Sequence, residues 1–309
     1  MAPNHNHPSY IALSKSGELA RRAGQAHAAM RECRLCPRDC GANRLKDELG
    51  YCKIGRHAGV ASHNLHHGEE PPISGTKGSG TIFFTGCNMG CRFCQNWPIS
   101  HLRHGERVSA RRLAQMMLNL QRRGAHNINL VTPSHVVPQF LAGLAIAAKD
   151  GLRLPIVYNS SGYEGLEALE LLDGVVDIYM PDIKYSTRDA AERCSLAPDY
   201  WERVRPAVKE MYRQVGALEM DEDGIGVRGL LIRHLVLPGD LAGSDEVFKF
   251  IAEELSTEVP VNLMSQYFPA HDALDDPLLG RRITKEEFSR AEKALHERGL
   301  TEGWIQHLE

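Results

Sequence analysis

The residues best suited to chemistry are three cysteines that lie close together. Cys87, Cys91 and Cys94 follow C-x3-C-x2-C in the stretch FFTGCNMGCRFCQNW, just past an apolar run that reads as a buried strand. Thiolates are soft ligands that select zinc or iron–sulfur clusters. Structural zinc sites close with four ligands, whereas this local set stops at three. Three thiolates suit a [4Fe-4S] cluster with one iron left open, and a zinc knuckle that borrows a fourth ligand is the alternative.

A second set of four cysteines lies nearer the N-terminus. Cys33, Cys36, Cys40 and Cys52 follow C-x2-C-x3-C-x11-C in a segment too polar to fold alone. Four ligands make a closed tetrahedral site, which favours structural zinc. Similar spacings also bind iron–sulfur clusters, so a second [4Fe-4S] cluster is the other metal interpretation. Unmetallated thiols are the third.

Composition narrows the class of protein. The 309 residues are 42% hydrophobic and 24% charged, with a formal net charge of −3. The basic residues are scattered, so we expect no nucleic-acid partner. No apolar run reaches the length that spans a membrane, and the first residues lack the apolar core of a signal peptide. We therefore expect a cytoplasmic protein, in which clustered cysteines bind metal rather than form disulfides.

From residue 80 onward, short apolar runs alternate with longer helical stretches. This alternation predicts parallel strands joined by right-handed crossovers. Parallel sheets place their chemistry at the carboxyl ends of the strands, where the three cysteines fall. Six units are too few for a closed eight-stranded barrel, so an open barrel and a doubly wound sheet both fit. The predicted strands are 81–86, 127–132, 155–160, 175–183, 230–237 and 260–267, and the predicted helices are 109–123, 136–149, 164–173, 187–214, 244–256 and 284–299.

The C-x3-C-x2-C spacing, with Phe93 before the last cysteine, resembles the radical S-adenosylmethionine (SAM) superfamily. The resemblance implies a partial (β/α)6 barrel in which the three cysteines hold the cluster and the open iron chelates SAM. Reductive cleavage of SAM then gives a 5′-deoxyadenosyl radical that takes a hydrogen atom from the substrate. Phe93 and Asn96, in the same loop, are expected near the cofactor.

Longer stretches resemble one branch of that superfamily, named after the activating enzyme of pyruvate formate-lyase. They include CRLCPRDCGANRLKDELGYC, YNSSGY, DIYMPDIKY and LLIRHLVLPG. The resemblance implies hydrogen abstraction from a glycine in a partner protein, with an electron donor such as flavodoxin or ferredoxin. A small molecule or a peptide side chain is the alternative substrate, and a non-catalytic iron–sulfur or zinc scaffold is the alternative to an enzyme.

The same resemblance suggests which strand ends hold SAM. This chain has TPSH where activating enzymes carry a Gly-Gly-Glu-Pro-like stretch, so a Glu that recognises the SAM amino group is not expected there. Asp182 and Lys184, two apart, are expected on the same side near the methionyl end of SAM. Arg233 is expected inside the barrel. For each residue, a buried polar group with a purely structural partner is the alternative. The full set of expected strand-end contacts is Thr132, Ser134, Asn159, Ser160, Asp182, Lys184 and Arg233.

Three segments are expected along the chain. Residues 1–75 would form an N-terminal helix and a loop-rich, Cys-rich metal-binding cap, residues 76–275 the barrel, and residues 276–309 a C-terminal helical extension. Within the cap, the sequence SHNLHHGEE is expected to be solvated or to pack as a loop rather than to bind metal.

Overall fold

The strands build an eight-stranded sheet and a three-stranded sheet in a computed structural model that describes residues 8–307. In chain order they are β1 (Ala58–His66), β2 (Ser79–Phe84), β3 (Glu106–Val108), β4 (Ile128–Val131), β5 (Ile156–Ser160), β6 (Ile178–Pro181), β7 (Glu219–Met220), β8 (Gly226–Leu230), β9 (Ile232–Leu235), β10 (Val261–Met264) and β11 (Gly303–Ile305).

Six of these strands are the ones predicted from the sequence, and they form the barrel. Strands β2, β4, β5 and β6 pair in parallel in that order. A parallel bridge between Asp182 and Arg233 continues the sheet to β9, which pairs in parallel with β10. The mixed α/β class and the partial (β/α)6 barrel are therefore confirmed. The predicted turn at 221–224 also joins an antiparallel pair, β7 and β8.

Strands β1 and β3 extend the barrel beyond β2, and they were not predicted. β1 pairs antiparallel with both β2 and β3. The expectation of a loop through 58–66 was wrong because this strand is polar over much of its length. Its outer half is only partly buried, so it lacks the apolar run that marks the parallel strands.

The helices cover the outside of the sheet. In chain order they are α1 (Tyr10–Ser16), α2 (Glu18–Ala29), α3 (Pro71–Ser74), α4 (Trp97–Ser100), α5 (Ala110–Arg122), α6 (Val137–Lys149), α7 (Leu166–Leu172), α8 (Arg188–Ser195), α9 (Tyr200–Val215), α10 (Ser244–Glu254) and α11 (Lys285–Glu297). The long helix predicted over 187–214 is wrong, because two helices occupy this span. Leu196 adopts a left-handed φ of 49° and ends α8, and Ala197 precedes a proline, which disfavours helix.

The Cys-rich segment, here residues 33–52, leans on the barrel and has little regular structure of its own. A short 3-10 turn at Arg44–Lys46 and a series of reverse turns carry the four cysteines. Arg44 is buried, and its Nε donates to the carbonyl of Gly55 at 3.3 Å. None of the helices described between residues 8 and 307 is long and apolar enough to cross a membrane. Residues 1–7 of the expected cap and residues 308–309 of the expected extension lie outside the described residues.

Candidate active site

A cleft of about 350 Å³ opens at the carboxyl ends of the barrel strands. Its walls bring together the three clustered cysteines and most of the polar residues expected to bind SAM. The predicted residues that line it are Cys87, Cys91, Phe93, Cys94, Asn96, Thr132, Asn159, Ser160, Asp182, Lys184 and Arg233.

The cluster loop, here residues 85–95, follows β2 and turns tightly around its cysteines. Gly86 and Gly90 have left-handed φ values of 77° and 68°, which glycine adopts without steric cost. A side chain at either position would also collide with the Cys-rich segment. A Cβ on Gly86 would come within 2.5 Å of the Cys52 carbonyl, and one on Gly90 within 2.9 Å of the Tyr51 hydroxyl. The two segments are therefore pressed against each other.

Each of the three thiols has a hydrogen-bond donor beside it. The backbone N–H of Met89 donates to Cys87 Sγ at 3.3 Å. The Ser195 hydroxyl donates to Cys91 Sγ at 3.0 Å, and Ser100 Oγ lies 3.2 Å from Cys94 Sγ. Such donors stabilise the negative charge of a cysteine thiolate, both when it is free and when it is a ligand of a cluster.

Burial opposes the effect of those donors on the pKa of the free thiols. Burial raises the pKa of Cys87 to about 12, and the neighbouring Cys91 raises it further, against the backbone N–H groups of Gly90 and Met89. Burial also raises the pKa of Cys94, with Cys91 adding to it. A bound metal reverses this balance because it binds the deprotonated thiol.

The donor set fits a cluster. No three His, Cys, Asp or Glu side chains in the part of the chain that the structure describes are grouped to hold a single metal ion. A [4Fe-4S] cluster binds each thiolate to a different iron, so its ligands surround the cluster rather than meet at one ion. Three thiols line one cleft and each has its own N–H or O–H donor, which is the kind of ligand set that such a cluster requires.

A charged network lies beside the thiols in the cleft. Asp182 accepts from Lys184 Nζ at 2.6 Å and from Arg233 Nε at 2.8 Å. Arg233 also donates to Asn159 Oδ1 at 2.8 Å. Burial alone would raise the pKa of Asp182, but Arg233 and Lys184 outweigh it and lower that pKa to about 2. The carboxylate is therefore ionised, and the lysine and arginine are positioned by it.

The same network includes two acids that sequence reasoning did not place in the site. Glu69 lines the cleft, and its Oε2 lies 3.3 Å from Arg233 Nη1. Glu70 Oε1 lies 3.7 Å from the same nitrogen and accepts from Asn262 Nδ2 at 2.7 Å. Burial raises the pKa of Glu69, while Arg233 lowers it. His66 also lines the cleft, so His66 and Glu69, which were expected to be solvated or to pack as part of a loop, border the candidate site. The cluster of polar residues in HHGEE was the only sequence signal for these contacts. Their partner, Arg233, is far away in the sequence and lies beside them only in the folded barrel.

The ends of β4 and β5 supply the remaining polar groups. Thr132 has a left-handed φ of 59°, an uncommon conformation for a β-branched residue and one that often marks functional sites. Its N–H donates to the Asn159 carbonyl at 2.9 Å, which fixes the two strand ends side by side. Ser134, in contrast, does not line the cleft. Its hydroxyl is buried and donates to the carboxyl group of Glu164.

The second cysteine set is gathered behind the cluster loop. Burial raises the pKa of Cys36 to about 12, and the nearby Cys52 and Cys33 raise it further. Cys33 and Cys40 in turn raise the pKa of Cys52, for which burial is again the largest cause. Cys40 Sγ lies 3.8 Å from the Cys33 carbonyl. Cys52 therefore lies near each of the other three thiols, but no three of the four are grouped closely enough to hold one metal ion.

Comparisons with known proteins agree with this geometry. A family model for the radical SAM superfamily matches residues 81–216. An uncharacterized protein of Methanocaldococcus jannaschii is 32% identical over 269 residues, which is 84% of this chain and 73% of that protein.

Two solved structures also match part of this chain. A radical SAM methyltransferase from Sphaerobacter thermophilus is 17% identical with a TM-score of 0.48, and SuiB from Streptococcus suis is 11% identical with a TM-score of 0.46. Each match covers 73% of this chain, and the chain spans 66% and 48% of the two structures.

The matched region begins in β2 and contains the three clustered cysteines and the strand ends of β4, β5 and β6. Residues 81–216 therefore form a domain of the radical SAM superfamily and the chain is a radical SAM enzyme, and this domain implies a [4Fe-4S] cluster and SAM as its cofactors.

Proposed function

We propose that Cys87, Cys91 and Cys94 hold the [4Fe-4S] cluster and that SAM lies in the cleft beside Asp182 and Lys184. The observation that carries this proposal is the meeting of the three thiols and the charged network in one cleft. When bound, the cluster and SAM supply a 5′-deoxyadenosyl radical that abstracts a hydrogen atom. The protein holds the cofactors, admits an electron and keeps water away.

Different polar residues at the strand ends are proposed to bind different parts of SAM. Lys184 is a cation held in place by Asp182, so it suits the SAM carboxylate. Asn159 and Ser160 supply amide and hydroxyl groups for the ribose hydroxyls. Thr132, Phe93 and Asn96 line the same cleft and enclose the rest of the cofactor. Arg233 is committed to Asp182, Asn159 and Glu69, so its role is to position Asp182 rather than to bind SAM directly.

For the substrate, we propose a glycine of a partner protein, as in activating enzymes. A second groove of about 770 Å³ supports entry of an extended peptide, because it adjoins the cleft and shares Gln95 and Gln266 with it. Arg282, Lys285 and the partly exposed Phe268 line its outer part. A small molecule is the second candidate, favoured by the polar groups Glu69, His66 and Asn159 in the cleft.

The Cys-rich segment is proposed to bind a metal of its own. Cys33, Cys36, Cys40 and Cys52 would hold structural zinc or a second [4Fe-4S] cluster. Their position in one short segment behind the cluster loop supports this proposal, and binding of a single zinc ion would draw the four thiols closer together than they lie in the structure. In this organisation the Cys-rich segment acts as a cap on the barrel, whereas β1, from the cap expected at 1–75, and β11, from the extension expected at 276–309, add to the sheets of the barrel. Flavodoxin or ferredoxin is the proposed electron donor.

Spectroscopy of the reconstituted protein tests the main proposal. Anaerobic reconstitution and reduction should give the paramagnetic signal of a [4Fe-4S] cluster, and added SAM should change that signal. The variant with Cys87, Cys91 and Cys94 all changed to Ala should lose the SAM-sensitive signal. A SAM-sensitive signal that persists in this variant would refute the assignment of these ligands.

A further inference from the structure

One side chain of the Cys-rich segment reaches into the cluster loop. Arg38 lies between Cys36 and Cys40, and its guanidinium extends to the backbone that follows Cys87. Its Nε donates to the carbonyl of Asn88 at 2.7 Å, and its Nη2 donates to the carbonyl of Met89 at 3.0 Å. Two consecutive carbonyls of the cluster loop are thus held by one side chain from the neighbouring segment.

The first of these carbonyls belongs to a peptide group that also contacts the thiol of Cys87. The carbonyl of Asn88 and the N–H of Met89 belong to one planar unit, and that N–H donates to Cys87 Sγ at 3.3 Å. The carbonyl of Met89 and the N–H of Gly90 form the next unit, and the same guanidinium holds this unit through the Met89 carbonyl. Because each unit is planar, fixing its carbonyl also fixes the direction of its N–H.

The guanidinium has support on its other side. It stacks on the ring of Tyr51 at 3.8 Å from the centroid, and the Tyr51 hydroxyl donates to the carbonyl of Met89 at 3.1 Å. Arg38 Nη2 also donates to the Ser195 carbonyl at 3.0 Å. Ser195 is the residue whose hydroxyl donates to Cys91. The same side chain therefore borders the environments of two of the three cluster cysteines.

We propose that Arg38 is a positioning residue for the cluster: it holds the Met89 N–H on the sulfur of Cys87, fixes the next peptide of the loop, and links the Cys-rich segment to the cluster loop. This inference rests on the proposed function, in which Cys87 is a cluster ligand. Hydrogen bonds to the sulfurs help set the reduction potential of an iron–sulfur cluster. Groups that orient metal ligands also affect metal retention, typically by about 10- to 100-fold.

Lysine cannot replace arginine in this role. The planar guanidinium presents several donors in a fixed fork, so it can serve Asn88, Met89 and Ser195 together and still stack on Tyr51. An ammonium group keeps the charge but is a compact donor on a flexible stem. The change Arg38→Lys therefore removes the geometry and preserves the charge.

The test compares Arg38→Lys with Arg34→Lys in the full-length, anaerobically reconstituted protein. Arg34 is in the same segment, but it is exposed and pairs at the surface with Glu32 and Asp39. We expect Arg38→Lys to lower the midpoint potential of the cluster and to release iron to a chelator at least about tenfold faster. Arg34→Lys should match the wild type in both measurements.

Measurement of the melting temperature separates this role from a general loss of stability, because a merely structural residue would lower the melting temperature without shifting the potential. Tyr51→Phe keeps the stacking and removes only the hydrogen bond to Met89, so it should shift the potential in the same direction by less. It also provides the test if Arg38→Lys fails to fold. A cluster potential and iron-release rate equal to the wild type in the folded variant would overturn the proposal. A wild-type protein that binds no cluster would instead refute the proposed function.

Discussion

Replacing Lys184 with methionine should weaken SAM binding while leaving the barrel folded. The lysine ammonium lies 2.6 Å from Asp182 and is largely shielded from solvent. Methionine fills similar space without charge. Asp182 keeps its 2.8 Å pair with Arg233, so the buried carboxylate is not left without a partner. The substitution therefore removes one cation from the cleft and leaves Asp182 paired with Arg233.

The size of the effect follows from the bond that is lost. A hydrogen bond to a charged group contributes about 1.5–3 kcal/mol. Each 1.4 kcal/mol corresponds to about a tenfold change in affinity. Lys184 already donates a hydrogen bond to Asp182, so fewer of its N–H groups are free to bind SAM. We therefore use the lower end of the range of about 1.5–3 kcal/mol. We expect the dissociation constant of SAM to rise by about tenfold.

The assay is a SAM titration of the reduced cluster signal under anaerobic conditions. Lys209→Met is the matched control, because Lys209 is a partly exposed residue on α9 that pairs with Glu254. Iron content and melting temperature should be measured in parallel. Wild-type SAM affinity in a Lys184→Met protein that retains its iron and its melting temperature would refute the assigned role.

Three further predictions follow from single contacts. Ser195→Ala removes the hydroxyl that donates to Cys91 at 3.0 Å, so the midpoint potential of the cluster should fall; an unchanged potential would mean that this bond does not influence the cluster. If a bound metal stabilises the fold of the Cys-rich segment, Cys52→Ala should speed proteolysis of that segment. A cleavage rate equal to the wild type would exclude this stabilising role of a metal. Burial lowers the pKa of His234 to about 4, although its Nδ1 donates to the Ile183 carbonyl at 2.7 Å. Folding therefore favours the neutral ring, and stability is lost as pH falls from about 6.5 towards 4, so the melting temperature of His234→Gln should drop less between pH 7.5 and 5.5 than that of the wild type.

The parallel core of the barrel was predictable because buried strands read as short apolar runs. The three cysteines were placed at the working face by their position after the first such run, before any geometry was known. Asp182 and Lys184 were expected on one side because they are two residues apart, and they do meet across 2.6 Å. These expectations rest on local patterns.

The contacts that sequence did not reveal are long-range. Glu69 meets Arg233 only because the barrel brings residues 164 positions apart together. Arg38 reaches the cluster loop from 50 positions away. β1 was missed because a partly solvated strand has no continuous apolar run. Ser134 was expected in the cleft, but pairing with Glu164 is available to it only in the folded core.

Formation of 5′-deoxyadenosine tests the central claim most directly. The reconstituted protein, reduced under anaerobic conditions and supplied with SAM, should produce 5′-deoxyadenosine and methionine. The variant in which Cys87, Cys91 and Cys94 are all changed to Ala should produce neither above the protein-free control. Equal product from the variant, or no product from a wild-type protein with a full complement of iron, would contradict the claim that these three cysteines carry the chemistry.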